Sequence, residues 1–202
     1  MSEKNESKSY SKALQKVFII HVFMFVVTFT AAIIANSSSV LADSLDFIGD
    51  AINYALAIFV LSRGIIFKAL VSITKAVTML SFGIPVMVYA LTRYTAGSVP
   101  DYEVMSWAGM LGIFAHGICI YYLFQYRTGD SNRLSVWICT INDLVSNILT
   151  VIASQLVKLT DSIYPDIIAA ALIVAIAIYG AIIILRQAIK ELKSNRPIES
   201  YE

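Results

Sequence analysis

Six apolar stretches, cut apart by charged and Pro/Gly clusters, leave this 202-residue chain little freedom in how it can fold. They run near Val17 to Asn36, Val40 to Ser62, Ile66 to Leu91, Val104 to Tyr126, Leu134 to Val157 and Ile163 to Leu185. Each is long enough to cross about 30 Å of hydrocarbon at about 20 residues per crossing. A composition 58% hydrophobic and only 14% charged excludes an ordinary soluble domain. The expectation is an all-α membrane protein, a bundle of six transmembrane helices. Little chain remains between the spans, so no loop holds a soluble domain of ordinary size. The organisation expected is a basic N-terminal segment over residues 1–16, a transmembrane transport domain over 17–190 and a short tail over 191–202. The first span is longer than a signal-peptide core and has no small-residue cleavage pattern before Asn36, so it is expected to stay.

Orientation follows from the basic residues. With both termini cytoplasmic, the inside collects Lys4, Lys8, Lys12, Lys16, Arg63, Lys68, Arg127, Arg133, Arg186, Lys190, Lys193 and Arg196, and the outside only Arg93 and Lys158. The lysines at 4, 8, 12 and 16 fit either an interfacial helix or a frayed basic tail drawn to anionic lipid. Cys119 and Cys139 lie inside spans and are read as buried thiols.

Against this apolar background the second span is anomalous. Asp43, Asp46 and Asp50 stand at i, i+3 and i+7, so on a helix they form one acidic stripe, with Asp46 and Asp50 one turn apart. Each ionised Asp costs roughly 2.5 to 3.5 kcal/mol in a bilayer even on lenient scales, which argues for a polar interior pathway and a cation to offset the cost. The preceding Asn36 and Ser37 to Ser39 can cap that helix.

A second polar cluster lies in the fifth span: Cys139, Thr140, Asn142, Asp143, Ser146 and Asn147. Cys139, Asp143 and Asn147 are spaced by four and share a face. Counting 1.5 Å per residue from the cytoplasmic ends puts Asp50 about 18 Å deep, Asp143 about 13 Å and Asn147 about 19 Å, so the two clusters can face each other. Asp46, Asp50 and Asp143 plus an amide or thiolate supply the four or so ligands of a transition-metal ion. Protons and metal would compete for those oxygens. A bundle opening the site alternately to each side then becomes a cation/proton antiporter.

Other features have milder readings. Lys75 sits deep enough to need a partner, and a bland alternative pairs it with Asp143, or bonds Asp143 to Asn53. Pro85 should bend the third helix. Gly109, Gly112 and Gly117 permit close helix approach in the fourth span, where Tyr121, Tyr122 and Tyr126 mark an interfacial belt and His116 reads as a packed or hydrogen-bonded residue rather than a ligand. The sixth span is almost purely aliphatic, a wall facing lipid or a second copy, with Asp166 at its start.

The run from Ser38 to Asp50, Ser-x-x-Leu-Ala-Asp-Ser-x-Asp-x-x-x-Asp, resembles the second-helix signature of the cation diffusion facilitator family. Asp46 and Asp50 fall on its two metal-binding positions. Trp137 to Asn147 resembles the family's second half-site, with Asp143 on its acidic position. The position four residues earlier, often His or Asp in the family, is Cys139, whereas the depth count favours Asn147 as fourth donor. The fourth ligand is therefore Cys139 or Asn147.

The resemblance implies a six-helix exporter of divalent cations at the cell (inner) membrane, carrying Zn²⁺, Fe²⁺, Co²⁺, Cd²⁺ or Mn²⁺ against protons. It implies a homodimer, with lipid, protons and metal as partners, no resident cofactor and no nucleic acid. Two departures qualify it: the chain stops at Glu202 where typical members continue into a cytoplasmic metallochaperone-like domain, and the loop Arg127 to Arg133 has no His-rich stretch to support zinc. A non-transporting membrane partner of the same fold is an alternative, and a metal-dependent membrane enzyme a weaker one, since the short loops offer few further acidic or basic groups. No Gly-x-Gly-Asp segment supports an intramembrane protease.

Overall fold

A computed structural model describes residues 3–194; residues 1–2 and 195–202, which include Arg196 and most of the expected tail, lie outside the described residues. Among the described residues there is no strand. The chain forms α1 (Glu3–Ala35), α2 (Ser38–Val60), α3 (Ile65–Ala96), α4 (Tyr102–Leu123), α5 (Ser131–Thr160) and α6 (Tyr164–Ser194), with a 3-10 turn at Phe124–Tyr126. The N-terminal lysines continue the first span as helix, and α3 runs unbroken through Pro85.

By length and composition, α1, α3, α4 with its 3-10 extension, α5 and α6 are apolar enough to cross a membrane. What sets α2 apart is its acids and not its length, since its 23 residues extend about 35 Å.

Three helix starts are capped from nearby. Ser37 accepts from the Val40 amide at the start of α2, Asp101 from Glu103 and Val104 in α4, and Asp130 from Arg133 in α5. Asp166 works differently from a residue capping its own helix. From the first turn of α6 it reaches across to α2, accepting the Ser38 and Ser39 amides at 2.7 and 3.0 Å and the Ser37 and Ser39 hydroxyls at 2.6 and 2.7 Å.

The helices pack as a closed ring in the order α1, α2, α3, α6, α5, α4, and α2 touches every other α-helix. Cross-links identify which ends share a side. Glu6 of α1 pairs with Arg133 of α5 at 2.9 Å, Lys68 of α3 with Asp130 at 2.7 Å, and Glu191 of α6 accepts the Ser131 amide at 2.8 Å. At the other end the Asp101 amide donates to the Ala35 carbonyl, and Asp166 meets α2.

Polarity is arranged inside out. The buried face of α2 carries Asp43, Asp50 and Asn53, and that of α5 carries Asn132, Thr140, Asp143, Asn147 and Thr150. Large apolar side chains such as Phe23, Phe59, Leu91, Phe114 and Leu159 point outward. That distribution suits hydrocarbon outside and a polar path within.

Two glycines let α4 close onto α5. A Cβ on Gly112 would meet the Asn147 side chain, and one on Gly109 would lie 3.1 Å from the Asn147 carbonyl and 2.7 Å from Val151. Gly117 has nothing within 4 Å and takes no part in that approach.

Candidate metal site

The acids of α2 divide by helical phase. Asp43, nearest the start, accepts from the Thr150 hydroxyl of α5 at 2.7 Å. Asp46 is half-buried and turns toward α3 and α6, beside Phe82 and Val174. Asp50, 4% exposed, lies at the centre of the bundle. Its Oδ1 accepts from Asn53 at 3.3 Å and its Oδ2 from the Tyr54 hydroxyl at 2.9 Å.

Asp46, Asp50 and Asp143 line one small cavity of about 10 Å³, together with Gly49, Asn53, Thr78, Met79 and Phe82. That is room for about one water-sized occupant. Cys139 Sγ and Asp50 Oδ1 both approach Asn53 Nδ2, at 4.0 and 3.3 Å, and Cys139 also lies 3.6 Å from Met79 Sδ. Gly49 keeps the wall thin, since a Cβ there would lie 2.5 Å from the Phe82 ring.

Asn147 lies elsewhere. Its Nδ2 donates to the Asp143 carbonyl at 2.7 Å, and the amide is wedged against Gly112 of α4, away from the residues lining the cavity. Lys75 does not reach Asp143 either: its Nζ, fully buried, donates to Asn132 Oδ1 at 2.9 Å and Ser135 Oγ at 3.2 Å. Asn53 bonds to Asp50 and not to Asp143.

Two residues beyond the sequence-derived set reach this centre. His116 Nε2 stands 3.4 Å from Asp143 Oδ2, and His21 Nε2 stands 3.9 Å from Asp50 Oδ2. His116 was expected only to pack or hydrogen-bond within its helix, and its Nδ1 does donate to the Gly112 carbonyl at 3.0 Å. His21 went unnoticed, although a titratable ring amid the apolar run of α1 is the kind of intramembrane group that marks a polar pathway.

The whole cluster is rich in acceptors. Tyr54 has one hydroxyl proton but lies near Asp50, Thr140 Oγ1 at 2.9 Å and His21 Nε2 at 3.4 Å. Buried acceptor atoms on Asn53, His116, Asp143 and Asn147 have no hydrogen-bond donor. Carboxylates, imidazole lone pairs and amide oxygens crowded away from water are costly unless protons or a cation lie among them.

Comparison with known proteins points the same way. Residues 66–193, well over half of the chain, match the cation efflux transmembrane domain family. The match takes in nearly all of α3, α4, α5 and nearly all of α6, and so includes Asp143 but not Asp46 or Asp50. No curated protein matches the chain.

Proposed function

The chain belongs to the cation efflux family, and from that premise we propose that it exchanges a divalent transition-metal ion for protons, holding the ion between α2 and α5. Membership, with the apolar helices, makes it an integral multi-pass membrane protein and a metal cation transporter at the level of the family. In the finer reading all six helices span and both termini are cytoplasmic. That puts Lys68, Arg127 and Arg133 inside and leaves Arg93 and Lys158 outside.

The observation that carries the reading is the single-ion cavity between Asp46, Asp50 and Asp143, with carboxyls from two helices on one small space. Cys139 serves as the fourth donor in this reading, because its Sγ approaches two cavity-lining residues, Asn53 and Met79, at 4.0 and 3.6 Å, while the Asn147 side chain is turned to Gly112 of α4. Carboxylate oxygens with one sulfur accept Zn²⁺, Cd²⁺, Co²⁺, Fe²⁺ or Mn²⁺. Metal entry expels protons from these acids and protonation expels metal, so a site opened to alternate sides couples the two flows. A homodimer, as the family resemblance implies, belongs to the same reading.

The test is flux. Proteoliposomes containing a fluorescent metal reporter should take up metal when a pH gradient is imposed. Asp50→Asn and Asp143→Asn should reduce uptake to the level of protein-free liposomes. Wild-type uptake no faster than that level, or uptake undiminished in both variants, overturns the proposal.

A further inference from the structure

We infer that His21 of α1 and His116 of α4, with Asp143 of α5, form a second ion position contiguous with the carboxylate cavity. It would take a borderline divalent metal such as Zn²⁺ or Co²⁺. One ring nitrogen from each histidine and one Asp143 oxygen all lie within 4.8 Å of one another, and all three side chains are buried. The inference deepens the function proposed above and rests on Asp143 as a ligand there.

Both imidazoles are oriented by the same device. His21 Nδ1 bonds the Val17 carbonyl at 2.8 Å and His116 Nδ1 bonds the Gly112 carbonyl at 3.0 Å, each four residues back on its own helix. A carbonyl oxygen can only accept, so these bonds put the proton on each Nδ1 and leave each Nε2 a lone pair; at His116 the 3.0 Å carbonyl contact is shorter than the 3.4 Å approach of the Asn147 amide nitrogen. Metal-binding histidines are held this way, with the non-ligating N–H tied to a carbonyl or carboxylate.

The His116 lone pair faces another acceptor, and that of His21 lies 3.4 Å from the Tyr54 hydroxyl, whose proton goes to Asp50 at 2.9 Å. His116 Nε2 stands 3.4 Å from Asp143 Oδ2, and neither atom has a hydrogen-bond donor. An ion with tetrahedral arms of about 2.0 to 2.2 Å holds its ligand atoms about 3.4 Å apart, so the observed gap has the width an ion fills. The Asn147 amide nitrogen lies on the same side, 3.4 Å from His116 Nδ1, with its oxygen turned to Gly112.

Phe47 locks the rings in place, stacked on His116 at 4.7 Å and edge-on to His21 at 5.3 Å. His21 Nε2, 3.9 Å from Asp50 Oδ2, connects this position to the cavity on the other side of Asp143. An ion can thus pass between an oxygen-rich position and a nitrogen-bearing one without losing its contact to Asp143. Imidazole favours Zn²⁺ and Co²⁺ over Mn²⁺, so this position would discriminate among the ions the carboxylates accept.

X-ray absorption on the purified full chain loaded with Zn²⁺ reads the ligands directly. The wild type should show imidazole scattering, reduced by about half in His21→Gln or His116→Gln, absent in the double variant and retained in Asp46→Asn. Zinc that binds with an oxygen-only or oxygen-and-sulfur shell overturns the inference and leaves the proposed function standing. Imidazole scattering unchanged in the double variant overturns it as well, and a wild type that binds no metal overturns both. The wild-type spectrum is decisive even if a histidine variant fails to fold.

Discussion

Asp50 is set in place by two neighbours on its own helix, Asn53 at Oδ1 and Tyr54 at Oδ2. Loss of a hydrogen bond that orients a ligand costs about 10- to 100-fold in metal affinity. Tyr54→Phe keeps the ring that packs edge-on to His21 at 4.7 Å and removes only the hydroxyl. Its Zn²⁺ affinity should fall at least about tenfold with thermal stability little changed, as isothermal titration would register; unaltered affinity would mean the hydroxyl does not hold the carboxylate for metal. The pH dependence is fixed in sign by competition for the same oxygens. Acid loads the carboxyls with protons and weakens metal binding, and rising pH strengthens it. Over the range in which the acids titrate, the logarithm of affinity should climb by about one per pH unit for each proton released. Asp46→Asn should lower that slope, which titrations across this range would measure.

Among the elements, α2 depends most on its neighbours, because three acids weaken its claim to a bilayer and its first turn is anchored from α6. Asp166 gathers four donors from Ser37, Ser38 and Ser39 at the positive end of the α2 dipole. Asp166→Ala leaves these buried groups without their acceptor and should cost on the order of 3 kcal/mol, with Asp166→Asn less affected. Thermal unfolding in detergent would check this, and equal melting of wild type and both variants would contradict it. The sequence made α2 and α5 legible as the acid-bearing helices, since Asp46, Asp50 and Asp143 stand out in any apolar run. It did not show how α5 rotates. A spacing of four advances the helix by about 40° beyond a full turn, so from Cys139 to Asn147 the face turns by about 80°. Depth counting therefore placed Asn147 level with Asp50, whereas in the fold Cys139 looks toward Asn53 and Met79, and Asn147 toward Gly112. His21 escaped for a related reason: its position near the acids depends on how α1 packs, which no local spacing encodes.

For the whole molecule, the ties at the two ends decide how the path to the site widens. At the end assigned to the cytoplasm, the start of α5 is fastened to three other helices. Lys68 pairs with Asp130 at 2.7 Å, Lys75 donates to Asn132 and Ser135, Glu191 accepts from Ser131, and Arg133 pairs with Glu6. Parting α3 from α5 on that side would widen the way to the cavity and would break the Lys68 pair. Asp130 also caps α5 through the Arg133 amide at 3.1 Å, and asparagine caps a helix as well as aspartate does. Asp130→Asn therefore removes the charge from the latch while preserving the helix start. A partly buried pair worth about 1 kcal/mol would shift the closed-to-open ratio about fivefold on its loss. Cys139, 1% exposed in this closed arrangement, is the reporter. In a Cys119→Ala background, a membrane-impermeant thiol reagent on the cytoplasmic side should label Cys139 about five times faster in Asp130→Asn than with Asp130 intact, and bound Zn²⁺ should slow both. Equal labelling rates would mean that this latch does not guard the path, and faster labelling from the opposite side would invert the assigned orientation.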